Sequence, residues 1–247
     1  MKIAIVGPGR MGREVETLAE ERGHTVVARL ERGEAITPES LWGAEVAVEF
    51  TNPDAAPERL VALARAGVPA VSGTTGWYHR LPEVTEAVEA TGAALVYAPN
   101  FSVGIAVFRR WVQEMARDLD GLAEYDVALH ETHHTGKVDH PSGTARLLAE
   151  AILGETTRKT SWQSGPPQGA ADPETLWVTA TRVGSTPGTH EIVLDGPDDQ
   201  IVLRHEARSR RGFARGALLA AEWIRGRKGV FTLDDLLDDR LHRRHDG

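Results

Sequence analysis

A chain of 247 residues with 41% hydrophobic and 26% charged side chains has the composition of an ordinary globular protein and length enough for one large or two modest domains. Its formal net charge of −8 argues against a broad nucleic-acid-binding surface, which rests on neutralising phosphates. The absence of cysteine excludes disulfides, thiolate metal sites and cysteine nucleophiles. No run of about 18 apolar residues occurs, and no charged segment leads into an apolar core, so neither a membrane span nor a signal peptide is expected and the cytoplasm is the default location.

The first stretch, Lys2 to Val6 (KIAIV), is apolar and rich in branched residues. It runs into Gly7-Pro8-Gly9-Arg10-Met11-Gly12, followed by helix-spaced Val15, Leu18 and Ala19. Strand, glycine turn and helix in that order form a dinucleotide-binding fingerprint: the first glycine makes the turn, the second lets the backbone approach a pyrophosphate, and the third lets helix and strand pack closely. The anion then lies on the helix N-terminus. By itself the pattern is weak, because glycine turns also merely connect elements. Its context is stronger, since Gly23-His24 ends the helix, Thr25 to Leu30 reads as a second strand, and Glu31 falls about 20 residues beyond the turn, where a ribose-binding acid is expected. A carboxylate accepts from the ribose 2′-hydroxyl of NADH, whereas the adjacent Arg32 can pair with the 2′-phosphate of NADPH, so tolerance of either cofactor is expected.

Strand-like and helix-like segments go on alternating: Val46 to Phe50 as strand, Ala56 to Ala66 as helix, Val68 to Val71 as strand, Leu81 to Thr91 as helix and Ala94 to Tyr97 as strand. This is the pattern of a parallel sheet with crossover helices. Ligands of such sheets bind beyond the strand C-termini. The tails there, Thr51-Asn52-Pro53, Gly73-Thr74-Thr75-Gly76 and Ala98-Pro99-Asn100-Phe101-Ser102, are small and polar enough to let a nicotinamide and its ribose reach the backbone. Any one of them also reads as an ordinary capped loop.

Gly104 to Leu119 carries its apolar residues on one helical face and leaves this first domain. Tyr125 to Leu129 then reads as a strand, and where it runs out the chain concentrates its chemistry in His130 to Thr144, HETHHTGKVDHPSGT. His130-Glu131-Thr132-His133-His134 matches H-E-x-x-H literally, but zinc binding by that motif requires a helix. Strand-like alternation before it and Gly136 and Pro141 after it leave no room for one. Four histidines with Lys137 suit proton donation near neutral pH and the holding of a carboxylate. Ser142-Gly143-Thr144 opens a helix from Ala145 to Leu153, whose N-terminus can bind an anion or carry only a serine cap. Residues 154 to 174 read as a long surface loop. Strands are expected at Leu176 to Val183, His190 to Leu194 and Gln200 to Ala207, the last two joined as a hairpin through Asp195 to Asp199. A sheet open on one face is a plausible oligomer surface. A basic turn, Arg208 to Phe213, leads into a helix from Ala214 to Ile224, a short helix follows over Thr232 to Leu241, and the Arg- and His-rich tail is expected to fray.

The expected fold is therefore α/β, with an N-terminal Rossmann-type parallel-sheet domain (1–103 with 208–247) and a second α+β domain with an open mixed sheet (104–207). The residues carry a resemblance to the dihydrodipicolinate reductase family over nearly the whole chain. Most specific is His133-His134-Thr135-Gly136-Lys137-Val138-Asp139-His140-Pro141-Ser142-Gly143-Thr144-Ala145, which resembles the family's H-H-x-x-K-x-D-x-P-S-G-T-A. Supporting pieces are Gly9-Arg10-Met11-Gly12, Glu31-Arg32, Phe50-Thr51, Gly73-Thr74-Thr75-Gly76, Ala98-Pro99-Asn100-Phe101-Ser102, Ser209-Arg210, Phe213-Ala214 and Gly216-Ala217. The resemblance implies hydride transfer from NADH or NADPH to C4 of 4-hydroxy-tetrahydrodipicolinate, a cyclic imine dicarboxylate, with loss of the 4-hydroxyl as water. It implies His133 as general acid, Lys137 as second proton donor and carboxylate holder, and His134, Gly143 and Thr144 as ligands of the substrate carboxylates. It also implies a homotetramer built through the second domain's sheet, and closure of the two domains over their ligands. Two competing readings use the same residues: a dehydrogenase of the same two-domain plan acting on another imino or keto acid, and a cofactor-binding sensor without turnover.

Overall fold

The computed structural model describes residues 1–242; the Arg- and His-rich tail lies outside the described residues from 243 onward. In chain order the first elements are β1 (Lys2–Val6), α1 (Arg10–Glu21), β2 (Thr25–Leu30), β3 (Val46–Glu49), α2 (Ala56–Arg65), β4 (Ala70–Ser72), α3 (Leu81–Thr91) and β5 (Ala94–Tyr97). There follow α4 (Val103–Leu119), β6 (Asp126–His133), α5 (Gly143–Leu153), β7 (Ser161–Ser164), β8 (Thr175–Arg182), β9 (Thr189–Asp195) and β10 (Gln200–Glu206). The last are α6 (Arg211–Ile224), β11 (Gly229–Thr232) and α7 (Leu233–His242). The chain divides into two compact units, Met1–Val103 with Arg211–Gly247, and Gly104–Arg210.

The first unit is a parallel sheet in the order β11-β5-β4-β3-β1-β2. Its central strands read as near-continuous apolar runs because helices cover both faces, and Ile3, Ala4, Ile5, Val6, Val46, Ala47 and Val48 are all 0% exposed. Helix starts follow local chemistry: α2 and α3 each carry proline in the first turn, and α3 stops at Gly92 in the left-handed conformation. Helix α6 buries Ala214, Gly216, Ala217, Ala220 and Ala221, small residues that let it lie close to the sheet. At Gly216 a Cβ would fall 1.7 Å from the carbonyl oxygen of Phe101, so the tail of β5 fixes a glycine there. The chain order makes β1 and β3 neighbours after β2 has left on the other side, which places the topological switch point between β1 and β3. Strand β11 was not among the expected elements; four residues, GVFT, beside a glycine-rich turn leave too little pattern to read.

The second unit is a mixed five-stranded sheet, β10-β9-β6-β8-β7, antiparallel on one side of β6 and parallel on the other. One face packs on α4 and α5 through Phe108, Val112, Leu148 and Ile152 against Val127, Leu129, Leu176, Val178, Ile192 and Leu194. The other presents Ala128, His130, Trp177, Thr179, Val193 and Val202, half-buried or exposed. Two expectations are corrected here. Residues 154–174 are not wholly loop, because Ser161–Ser164 pairs with β8 as an edge strand. And β6 does not end at Leu129 but runs on through His133, since its inward positions turn polar at Glu131 and His133 while the backbone stays extended. That extended backbone also removes the helix that zinc binding by His130-Glu131-Thr132-His133-His134 requires.

Candidate active site

In the first unit a cleft of about 360 Å³ opens at the switch point, lined by Gly7, Pro8, Gly9, Glu31, Arg32, Phe50, Thr51, Asn52, Ala55 and Arg59. It collects the ends of β1, β2 and β3 and the N-terminus of α1, whose N-cap, Gly9, makes no side-chain cap bond to the helix. The glycines differ in what they serve. Gly7 has φ +87° and a Cβ there would lie 2.3 Å from the Phe50 carbonyl oxygen, while at Gly12 it would lie 2.4 Å from the Gly7 carbonyl oxygen. At Gly9 a Cβ would meet nothing within 4 Å, so the missing side chain opens the backbone to the cleft itself. An open glycine beside uncapped helix N–H groups fits a pyrophosphate. Arg59, which the sequence did not single out, donates to the carbonyl oxygens of Glu31 at 2.6 Å and Glu34 at 3.2 Å and so braces the turn that presents Glu31 and Arg32.

The other expected cofactor residues stand elsewhere in this unit. Arg10 and Met11 form the first turn of α1. Gly73 packs on the Phe50 ring, where a Cβ would come within 2.0 Å, and Thr75 is exposed. Thr74 is buried and donates to Glu49. Ala98 and Phe101 are buried, Pro99 is exposed, and the Asn100 side chain accepts from the Ser102 N–H at 2.7 Å. Behind the cleft Glu49, 0% exposed, accepts from the Thr51 N–H and the hydroxyls of Thr51, Ser72 and Thr74. This buried carboxylate ties the tails of β3 and β4 together, and nothing in an apolar strand pattern announces it beyond one acid at its end.

In the second unit the alternation of β6 puts Glu131 and His133 on one face. Register then supplies their neighbours, since Glu131 pairs across to His190 of β9 and His133 to Arg182 of β8. Glu131 is 0% exposed and His133 7%. One carboxylate oxygen, Oε1, accepts from Arg182 Nη2 and from the Ser142 N–H, each at 3.0 Å. The other, Oε2, lies 3.3 Å from His133 Nδ1 and 3.6 Å from His190 Nε2. Burial alone would push the Glu131 carboxyl up, but donors from His133, His190, Ser142 and Arg182 outweigh it and hold the group well below the usual carboxylate range. Burial pushes His190 down, with Glu131 opposing and the charges of His133 and Lys137 adding to the effect.

Beyond β6 the loop folds back at Lys137, whose N–H donates to the His134 carbonyl oxygen at 3.1 Å. Lys137 Nζ lies 2.7 Å from Asp139 Oδ1. Ser142 caps α5 by accepting from the Ala145 N–H at 3.1 Å. The serine-cap reading of this helix start is thus met, with Gly143 and Thr144 in its first turn. Of the expected residues, His133, His134, Lys137, Gly143 and Thr144 all lie on this one strand-loop-helix connection. Sequence reasoning missed Arg182 and His190, which join the site only through strand register, and took Glu131 only as part of the zinc motif.

The fold resembles that of the dipicolinate-bound dihydrodipicolinate reductase from a Paenisporosarcina species, with a TM-score of 0.76 at 22% identity over 94% of this chain and 97% of that one. A switch-point cleft behind a glycine turn, with a histidine and lysine stretch on a second unit, defines an NAD(P)-dependent oxidoreductase. Family models for the N-terminus and C-terminus of dihydrodipicolinate reductase match residues 1–101 and 104–237. The 4-hydroxy-tetrahydrodipicolinate reductase of Christiangramia forsetii is 36% identical over 97% of this chain and 98% of its own length. That of Natronomonas pharaonis is 37% identical over 95% and 99%. The chain belongs to the dihydrodipicolinate reductase family.

Proposed function

We propose that the chain reduces 4-hydroxy-tetrahydrodipicolinate to tetrahydrodipicolinate in the lysine and diaminopimelate route. The observation that carries this reading is the full-length family match together with His133, His134, Lys137, Gly143 and Thr144 standing on one connection. NADPH or NADH supplies the hydride, which goes to C4. Gly7, Pro8, Gly9, Arg10, Met11 and Gly12 cradle its pyrophosphate, Glu31 and Arg32 meet its ribose or 2′-phosphate, and Gly73, Thr74, Thr75, Ala98, Pro99, Asn100 and Phe101 complete the rim. His133 gives the proton as general acid, the 4-hydroxyl leaves as water, and Lys137 is the second donor and a carboxylate holder. His134 with the α5 start at Gly143 and Thr144 binds the substrate carboxylates. A proton donor, a cation and a helix N-terminus suit a dianion that takes up a hydride and a proton. Lys137 already pairs with a carboxylate, that of Asp139, which supports its holding of another.

The same reading places the protein in the cytoplasm as a homotetramer joined through the open face of the second unit's sheet. No helix among the described residues is long and apolar enough to cross a membrane. Register aligns Val202, Val193 and Ala128 in one row across three strands of that face, with Trp177 on the neighbouring β8 half-buried, an apolar stripe of the kind subunit contacts use. Light scattering on the purified protein measures the assembly.

The reaction is tested by NADPH and NADH oxidation with the unstable substrate made in place from pyruvate and aspartate semialdehyde by the preceding synthase. Oxidation that depends on the synthase is expected. Its absence in a protein that still binds NADPH would overturn the substrate. His133→Ala and Lys137→Ala should each lower kcat by about 10²- to 10⁴-fold and leave the Kd for NADPH nearly unchanged, measured by fluorescence titration.

A further inference from the structure

We propose that Glu131, anchored by Arg182, is the positioning residue that sets the tautomer and orientation of His133. The inference rests on the reading of His133 as general acid. Its ground is the division of labour between the two oxygens of one fully buried carboxylate. Oε1 is taken by Arg182 Nη2 and the Ser142 N–H, both at 3.0 Å. This leaves Oε2 turned to the imidazoles, 3.3 Å from His133 Nδ1. An ion pair with Arg182 alone would be structural; the second oxygen, which no hydrogen bond takes up and which lies at ion-pair distance from the equally unpartnered His133 Nδ1, is what goes beyond structure.

At its far edge the His133 ring faces Gly188, where a Cβ would lie 2.8 Å from Nε2. The glycine thus leaves the second nitrogen uncovered by any side chain at that position. A carboxylate oxygen 3.3 Å from Nδ1, with no hydrogen bond taken up by either atom, favours the hydrogen on that nitrogen and leaves Nε2 as the one that gives and regains a proton. In the step itself the Nε2–H bond of the imidazolium breaks, the proton goes to the substrate, and the ring remains neutral with its hydrogen on Nδ1 toward Glu131. Water restores the proton on Nε2. Glu131 takes no proton at any stage, in keeping with the donors that hold it ionised.

Arg182 has a second tie. Its Nη2 also donates to the Asp139 carbonyl oxygen at 2.7 Å, so one guanidinium fixes both Glu131 and the loop that carries Lys137. His190 lies 3.3 Å from Ser142 Oγ, and its burial favours the neutral ring, which does not compete as a cation for Oε2. Glu131, His133 and His190 bring ligand atoms within 4.8 Å of one another. With a guanidinium on the same carboxylate, that cluster is poorly suited to a metal ion and well suited to orienting an imidazole.

Two measurements test the proposal. The first is ¹⁵N-histidine NMR of the unmodified protein, with the His133 signals assigned by their loss in His133→Gln. The neutral ring should carry its hydrogen on Nδ1, and an Nε2–H tautomer would overturn the proposal without any change to Glu131. The second is a double-mutant cycle in the synthase-coupled assay. Glu131→Gln should lower kcat about 10²-fold or more with the KM for the dicarboxylate and the Kd for NADPH within about 3-fold, and should have no further effect in a His133→Ala background. A fully active Glu131→Gln beside an inactive His133→Ala sinks the positioning role alone. A fully active His133→Ala overturns the general-acid reading and this proposal with it. Should Glu131→Gln fail to fold, the NMR tautomer decides.

Discussion

Among the glycines of the first turn, the structure separates two jobs that one motif conceals. Gly7 and Gly12 have no room for a side chain, with carbonyl oxygens 2.3 and 2.4 Å from where a Cβ would stand, whereas Gly9 has nothing within 4 Å. Gly7→Ala should therefore unfold or destabilise the first unit by about 1–3 kcal/mol, from strain at positive φ and the clash with Phe50. Gly9→Ala should leave the melting temperature within about 2 °C, since surface changes cost little, yet weaken NADPH by obstructing the approach to the pyrophosphate. Thermal unfolding beside a cofactor titration reads both, and equal loss of stability in the two variants would refute the distinction. Arg32 stands in the same cleft as Glu31. Arg32→Ala should raise the Kd for NADPH more than that for NADH, by about 10-fold or more, as expected for a lost charge-assisted bond to phosphate; an equal effect on both cofactors would remove its phosphate role.

Elements were legible in the sequence wherever burial wrote a period, and illegible where it did not. α3 and β5 lie where the pattern puts them, Leu81–Thr91 and Ala94–Tyr97, because an apolar face and a proline or glycine at the ends leave one reading. β7, with Trp162 as its one large apolar residue, and β11 are short edge strands, whose pairing comes from a neighbour rather than from their own residues. The same limit hid the carboxylates. Glu49 ends an apolar strand and Glu131 interrupts one, and only register and tertiary folding reveal that each is surrounded by donors. His133, Lys137 and the α5 start could be found because they lie within one connection, while Arg182 and His190 arrive from other strands. Glu49 gives an element-scale prediction. Glu49→Ala strands three hydroxyls at the ends of β3 and β4, the Thr51 N–H keeping Thr74 Oγ1 at 2.8 Å, and should cost about 2–4 kcal/mol. Glu49→Gln keeps the shape and half the acceptor capacity and should cost less. Urea denaturation orders the two variants, and a neutral Glu49→Ala would show that water replaces the carboxylate.

At the scale of the whole molecule, the buried ionisable groups of the second unit set how the protein responds to acid. His190 and His205 are both held below the ordinary histidine value, burial being the larger cause in each. An unfolded chain takes up protons on its histidines near pH 6.5, in a range where these two rings stay neutral in the folded state. More protons on the unfolded state means that stability falls as pH falls. The contribution of the two histidines is thus complete above about pH 6.5 and is lost as the pH descends from there toward their folded values. Glu131 acts lower on the scale. Its carboxyl is held well below its ordinary range, so its contribution is present above the unfolded value of about 4.3 and disappears as the pH falls from there through the folded value. Urea midpoints should accordingly be level from about pH 8 to 7, begin to decline as the pH falls below about 6.5, and decline further below about pH 4.5. Hydrogen exchange at the amides of Asp126–His133, the strand that carries Glu131, follows the second unit by itself. His205→Gln should shrink the first decline and spare the second, because the ring of His205 is not among the donors to Glu131. A midpoint that rose on acidification from pH 7 to 5 would mean that these rings gain rather than lose their charge on folding, and would reverse the sign of the argument.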